Sequence, residues 1–394
     1  MGARSIGLFI LLLLPLSCAG VGNAQEGAPA TPAGVPVDAG PSPAAAVPAN
    51  PASVPTADVV HGDLGVDLDA MLAGLVEQGF AGAVLVADRG VIHLKKGYGL
   101  ADRSRELRND SETLFDVGSL SRILTATAIL KLGDEGRLQV NDPVSRYLGE
   151  FPGEKNDATL HQVLIHTSGM FGPDSELDGS GRQEFVDSVR ASSPGHAPGA
   201  EFQPSAASYI LLAAVVEKAA GGSFEDYLQQ AILLPAGMVS TGFAWEDRWL
   251  QRKVAVGYDG MHQDDLQPVD LPDDQWDRRG PGNMVTSVGD LYRFILALKN
   301  GTLLSTTATE EMFTAYIGNE GYSWHVIDDS TRGSLVRRGG EVPGFESSLR
   351  WYRDRNLVII FAVNSNVGHR IPVARGIADV LEKHIPAPGK NGPH

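Results

Sequence analysis

Residues Phe115–Leu132 read FDVGSLSRILTATAILKL. After the Gly118-Ser119 pair, Leu120, Ile123, Leu124, Ala128, Ile129 and Leu132 recur at spacings of three and four with almost no charge between them. That pattern predicts a helix buried nearly all round. Ser119 falls at its start, where free backbone N–H groups and the positive end of the dipole favour negative charge. A serine there acts either as an N-cap or as a nucleophile whose developing oxyanion is held by neighbouring N–H groups. The stretch alone leaves both roles open.

Working outward, Val66–Gln78 has helical spacing, and Gly82–Ala87 and Val91–Tyr98 are β-rich runs joined by the hairpin signal Asp88-Arg89-Gly90. Near the other end, Ser347–Tyr352 and Leu357–Asn364 are β runs separated by Arg353-Asp354-Arg355-Asn356, with a helix expected over Pro372–His384. No internal repeat is evident. The net charge of −16 excludes a nucleic-acid partner, whose phosphates need a basic face, and opposes adsorption to anionic lipid.

The first 24 residues read as an export signal. Arg4 precedes an apolar run from Ile6 to Leu16, and Gly22-Asn23-Ala24 before Gln25 suits cleavage. The run is short of the roughly 20 residues that span a bilayer, and no second stretch of that length exists, so no transmembrane helix is expected. Cys18 is the only cysteine, so no intrachain disulfide forms. Leu16-Ser17-Cys18 hints at a lipoprotein box, with Pro15 where that pattern takes an aliphatic residue. The expectation is an exported protein, periplasmic or extracellular, with a lipid anchor at Cys18 as the alternative to plain cleavage. Residues 25–58 are Ala- and Pro-rich and read as a disordered linker. Residues 59–386 form the folded part, followed by a flexible tail, 387–394.

Gly118-Ser119-Leu120-Ser121-Arg122, followed by Thr125-Ala126, resembles the Ser-x-x-Lys segment of serine β-lactamases and penicillin-binding proteins. The branch it resembles most is that of class C β-lactamases, D-alanyl-D-alanine carboxypeptidases and esterases. Further landmarks follow in the family's order: Asn141-Asp142-Pro143-Val144, Leu160–Gly169 (LHQVLIHTSG), Pro198-Gly199-Ala200-Glu201-Phe202, Thr241-Gly242-Phe243, Gly280–Phe294 (GPGNMVTSVGDLYRF) and Arg338-Gly339-Gly340-Glu341-Val342-Pro343-Gly344-Phe345. The resemblance spans about 320 residues. It implies an α+β, β-lactamase/transpeptidase-like fold: an antiparallel sheet of N- and C-terminal strands flanked by helices, plus a helical subdomain. It implies no cofactor and no metal. His166 is structural in that family, and Tyr209 is the family's second tyrosine, expected in the core.

The departures fall on the chemistry. Arg122 stands at the lysine position, one helical turn from Ser119; Pro204 stands at the tyrosine position, Ala206 at the asparagine position, and Arg338 at the histidine or lysine position of the last landmark. A guanidinium has no lone pair to take the serine's proton, and proline has no proton to shuttle. Lys131 lies roughly 18 Å along the helix from Ser119. Acylation needs a base, an acid and oxyanion donors, so little turnover is expected. Transferred to the family's geometry, Arg122 and Arg338 flank the serine pocket and offer a carboxylate or phosphate site. For the two arginines themselves, the expectation favoured over that site is an internal ion pair, with Glu341 or Asp116 neutralising one of them. The favoured reading is a degenerate homologue binding a small-molecule or peptide ligand, peptidoglycan-derived or another acyl or anionic compound, or a partner. The alternatives are an active serine hydrolase (esterase, carboxypeptidase or weak β-lactamase) using Ser119, and a structural envelope protein.

Overall fold

A computed structural model of the chain describes residues 54–172, 181–262, 264–329, 333–367 and 369–385. The expected export signal, Cys18, most of the Ala/Pro-rich segment and the tail 387–394 lie outside the described residues. Val54 is buried, and its carbonyl accepts from Arg293 at 3.0 Å, so the chain engages the fold from its first described residue.

The frame is a seven-stranded sheet. Its strands are β1 (Val59–Val60), β2 (Gly82–Asp88), β3 (Val91–Tyr98), β4 (His325–Asp329), β5 (Gly333–Val342), β6 (Phe345–Tyr352) and β7 (Leu357–Val363). The order across the sheet is β1-β3-β2-β7-β6-β5-β4, antiparallel at every step. The N-terminal hairpin therefore pairs with the C-terminal strands, Ile360 opposite Leu85 and Phe361 opposite Val84. The two runs meet because β2 and β7 are apolar along their whole length, the composition of strands covered on both faces.

Alternation sorts those side chains into two cores. Val84, Val86, Ile359, Phe361 and Val363 face α1 (Gly62–Val76) and α5 (Arg370–His384), which pack together. Ala83, Leu85, Ala87, Leu349 and Ile360 face the larger core with α2 (Arg122–Asp134), α3 (Ala206–Ala220) and α4 (Val288–Lys299). Each large apolar side chain removed from water contributes roughly 1.5–3 kcal/mol, so the sheet is held from both sides. Among the described residues, every helix except α1 and α5 lies between the hairpin and β4, the helical part expected from the sequence. Among the described residues no helix is long and apolar enough to cross a membrane.

The helix expected over Val66–Gln78 begins four residues earlier, at Gly62. The serine stretch also differs in detail. Gly118–Ser121 is a 3₁₀ turn, and the α-helix proper starts at Arg122. Ser119 makes no N-cap hydrogen bond. The turn is tighter because Gly118 adopts φ +53°, a conformation glycine tolerates at little cost.

Candidate active site around Ser119

The serine turn is wedged between two strands of backbone. On one side, Phe115–Asp116 pairs with Met284–Thr286, which pairs with Gly242–Phe243 in a small three-stranded sheet. The landmarks Thr241-Gly242-Phe243 and Gly280–Phe294 thus support the turn directly. Val117 N–H donates to Met284 O at 3.1 Å, and Thr125 Oγ1 donates to Gly280 O at 2.8 Å. On the other side, β5 passes so close that a Cβ on Gly340 would overlap the Val117 carbonyl. Ser347 Oγ donates to that same carbonyl at 2.8 Å. Glycine at 340 is therefore a packing requirement that sets the distance from strand to serine.

Ser119 is half-buried and lines a cleft of about 540 Å³. Among the described residues its hydroxyl has no hydrogen-bond partner. Arg338 reaches across from β5, and its Nε donates to the main-chain carbonyl of Ser119 at 3.3 Å. Arg122 points its Nε at Pro281 O (3.3 Å) and lays its guanidinium 5.4 Å from the centre of the Tyr209 ring. Burial first, and the charge of Arg338 second, push the Arg122 guanidinium down to about 10. It remains a cation at neutral pH. Arg122 and Arg338, the two arginines singled out from the sequence, thus both lie beside the Ser119 turn.

The ion pair considered from the sequence is absent. Among the described residues neither Arg122 nor Arg338 has a carboxylate within ion-pair distance. Glu341 sits on β5 three residues after Arg338, and residues three apart on a strand face opposite ways. Its carboxylate instead lies 3.7 Å from Arg370 at the start of α5. Asp116 is fully buried, accepts from Gly118 N–H at 2.8 Å, and is pushed up to about 6 by its burial.

His166 is buried with φ +59°. Its Nδ1 accepts from Ser205 N–H at 3.4 Å, so the proton of the neutral ring sits on Nε2. Burial, then the charges of Arg122 and Arg338, hold it down to about 3. A ring so weakly basic, with its lone pair engaged, is a structural neighbour of the site. Tyr209 is fully buried and donates to Leu164 O at 3.1 Å, a core residue. Pro204 and Ala206 are exposed and do not line the cleft; Ser205 between them caps α3, accepting from Ala207 N–H at 3.1 Å.

Sequence reading missed the far wall of the cleft. Arg337, Arg350, Arg370, Ser348, His325 and Glu320 also line it. His325 Nδ1 is 3.0 Å from Glu320 Oε1, a pairing that suggests a base. However, His325 lies directly opposite Arg337, which alternates with Arg338, so it stands on the sheet face turned away from the serine turn. The signal for this wall was in the β runs themselves, as charged residues at alternate positions of strands otherwise apolar.

Three comparisons bear on this arrangement. The family model described as Beta-lactamase matches residues 68–382. A putative penicillin-binding protein, PbpX, of Bacillus subtilis (strain 168) is 32% identical over 295 residues, covering 74% of this chain and 72% of that protein. Penicillin-binding protein 4* of the same organism is 28% identical over 311 residues, covering 72% of this chain and 68% of its own length. Among solved structures, a class C beta-lactamase superposes with a TM-score of 0.72 at 21% identity, covering 82% of this chain and 99% of that one. FmtA from Staphylococcus aureus superposes with a TM-score of 0.71 at 22% identity, covering 84% and 90%. With the strand order, the serine turn and the six landmarks in sequence, these matches place the chain in the serine β-lactamase and penicillin-binding-protein family.

Proposed function

We propose that this is an exported member of the family that has exchanged turnover for binding. In this reading Ser119, Arg122 and Arg338 receive an anionic or acyl ligand, such as the carboxylate end of a cell-wall peptide, in the periplasm or at the cell surface. One observation carries the reading: among the described residues, the two cationic side chains beside Ser119 have no carboxylate partner and the serine hydroxyl has no base. Two guanidiniums held without a counter-charge are costly to bury and are suited to a carboxylate in bidentate geometry. Losing general base and general acid together removes roughly 10²–10⁴-fold each, which supports weak turnover at best. The unpartnered Ser119 hydroxyl favours one competing reading, a live hydrolase using that serine.

Labelling with a fluorescent penicillin or a fluorophosphonate, alongside hydrolysis of a chromogenic cephalosporin and a p-nitrophenyl ester, separates the two. The binding reading expects rates near background and a melting temperature raised by a D-Ala-D-Ala peptide. Robust turnover that disappears in Ser119→Ala overturns it.

A further inference from the structure

The wall of the cleft that faces away from Ser119 carries its own charge problem. Arg337 on β5 lies directly opposite Arg350 on β6, so both side chains leave the sheet on one face. Arg370, at the first turn of α5, closes over the same face, its Nη1 3.7 Å from where a Cβ on Gly339 would stand. Three cations meet here in a protein of net charge −16.

The nearby acids are engaged elsewhere. Glu341 lies 3.7 Å from Arg370. Glu346 accepts the main-chain N–H of Arg370 at 3.0 Å, and Glu320 is held by His325. Among the described residues Arg337 and Arg350 have no carboxylate within ion-pair distance. The Nε of Arg350 is buried with no hydrogen-bond partner. Burial, and less strongly the charges of Arg337 and Arg370, lower the Arg350 guanidinium from its usual value against an opposing influence of Tyr352. A buried donor left unpaired costs roughly 1–3 kcal/mol, more when charged, a cost that an anionic ligand on this face would offset.

We propose that the Arg337–Arg350 face is a second anion subsite, distinct from the Ser119 face, that takes the dianion of a phosphate monoester. The charge count selects the class. Arg337 and Arg350 present two uncompensated positive charges, and a phosphate monoester at neutral pH carries about −1.5 to −2 with three acceptor oxygens. A single carboxylate leaves one charge unbalanced. Ser348, paired with Gly339 on this face and lining the cleft, adds a hydroxyl donor. The inference needs no assumption about Ser119, because alternation puts Arg338 on the other face of β5.

Thermal melts of the whole chain at constant ionic strength test it, with phenyl phosphate, inorganic phosphate and dimethyl phosphate as probes. The melting temperature is expected to rise with phenyl phosphate and clearly less with dimethyl phosphate, which has one charge. Equal responses to phenyl and inorganic phosphate identify a free phosphate site, and a stronger response to the ester identifies a bound ester group. Arg337→Gln and Arg350→Gln should each weaken binding roughly tenfold or more, while Arg338→Gln leaves it in place. Arg337 is exposed, so its variant carries the test if Arg350→Gln does not fold. The subsite is refuted if phenyl phosphate acts no more strongly than sodium chloride, or if its effect survives in Arg337→Gln. Loss in Arg338→Gln alone moves the anion to the serine face and also overturns it.

Discussion

Arg338 Nε holds the main-chain carbonyl of Ser119 at 3.3 Å. The cation of the last landmark therefore grips the backbone of the serine turn rather than the serine's hydroxyl. A hydrogen bond to a charged donor is worth roughly 1.5–3 kcal/mol, but here the repulsion between Arg338 and Arg122 works against it.

Arg338→Ala should consequently change ligand-free stability by about 1 kcal/mol or less while abolishing the effect of a D-Ala-D-Ala peptide on the melting temperature. Glu341→Ala should add to it independently, within roughly 0.3–0.5 kcal/mol, because Glu341 pairs with Arg370 on the opposite face. Urea melts of the two single variants and the double variant measure this. A coupling of 3 kcal/mol or so would show that the Arg338–Glu341 pair forms after all.

Asp116 gives the pH dependence a sign. Its folded value is pushed from 3.8 to about 6 by burial, so the folded state holds the proton more tightly than the unfolded chain does. The group favours folding most below pH ~4, and that contribution is lost as the pH rises through about 6. Asp116→Asn keeps an acceptor for Gly118 N–H and removes the charge. It should raise stability by roughly 2–3 kcal/mol at pH 8 and leave it almost unchanged at pH 4. Equal effects at both values would mean the carboxylate is stabilised by something other than protonation.

The two glycines of β5 should respond unequally. A Cβ at Gly340 overlaps the Val117 carbonyl and comes within 2.8 Å of Leu120 N, both main-chain atoms of the serine turn. At Gly339 the nearest atom is Ser347 O at 3.3 Å, a contact a small shift relieves. Gly340→Ala is expected to cost about 3 kcal/mol or more, and Gly339→Ala under about 1 kcal/mol. Denaturant midpoints of both proteins decide the matter.

Much of the frame was legible in the sequence because β7 is apolar throughout, β2 is apolar up to Asp88, and the serine helix repeats apolar residues at spacings of three and four. The pairing of distant strands came from the resemblance, since nothing local in Gly82–Asp88 specifies Leu357–Val363 as its neighbour. The arginines beside Ser119 were legible for the same reason. Glu341 pairs with Arg370 rather than Arg338 because residues three apart on a strand face opposite ways. The serine turn packs against β5 so closely that a Cβ on Gly118 would stand 3.0 Å from Glu341 N, a neighbour 223 residues away in sequence. The Arg337–Arg350 pair depends on the register of β5 against β6, which no single strand encodes.

The sharpest test of the lost chemistry is Arg122→Lys. The substitution places an amine where the guanidinium now sits, in surroundings whose burial and whose neighbour Arg338 already lower the basicity of the group there. Both influences act on an ammonium in the same direction and more effectively, because its ordinary value starts lower. A fraction of the lysine should therefore be neutral near pH 8 and able to take the Ser119 proton. Fluorescent penicillin should label Arg122→Lys and not the parent protein, with labelling rising as the pH is raised and vanishing in the Ser119→Ala, Arg122→Lys double variant. The gain is bounded by what one general base supplies, roughly 10²–10⁴-fold. Adding Pro204→Tyr should help less, since position 204 is exposed and outside the cleft. If Arg122→Lys stays unlabelled while retaining its fold, the missing base is not what silences Ser119. The tight turn held by Gly340 and Ser347 would then be the barrier, with the hydroxyl aimed away from an incoming carbonyl.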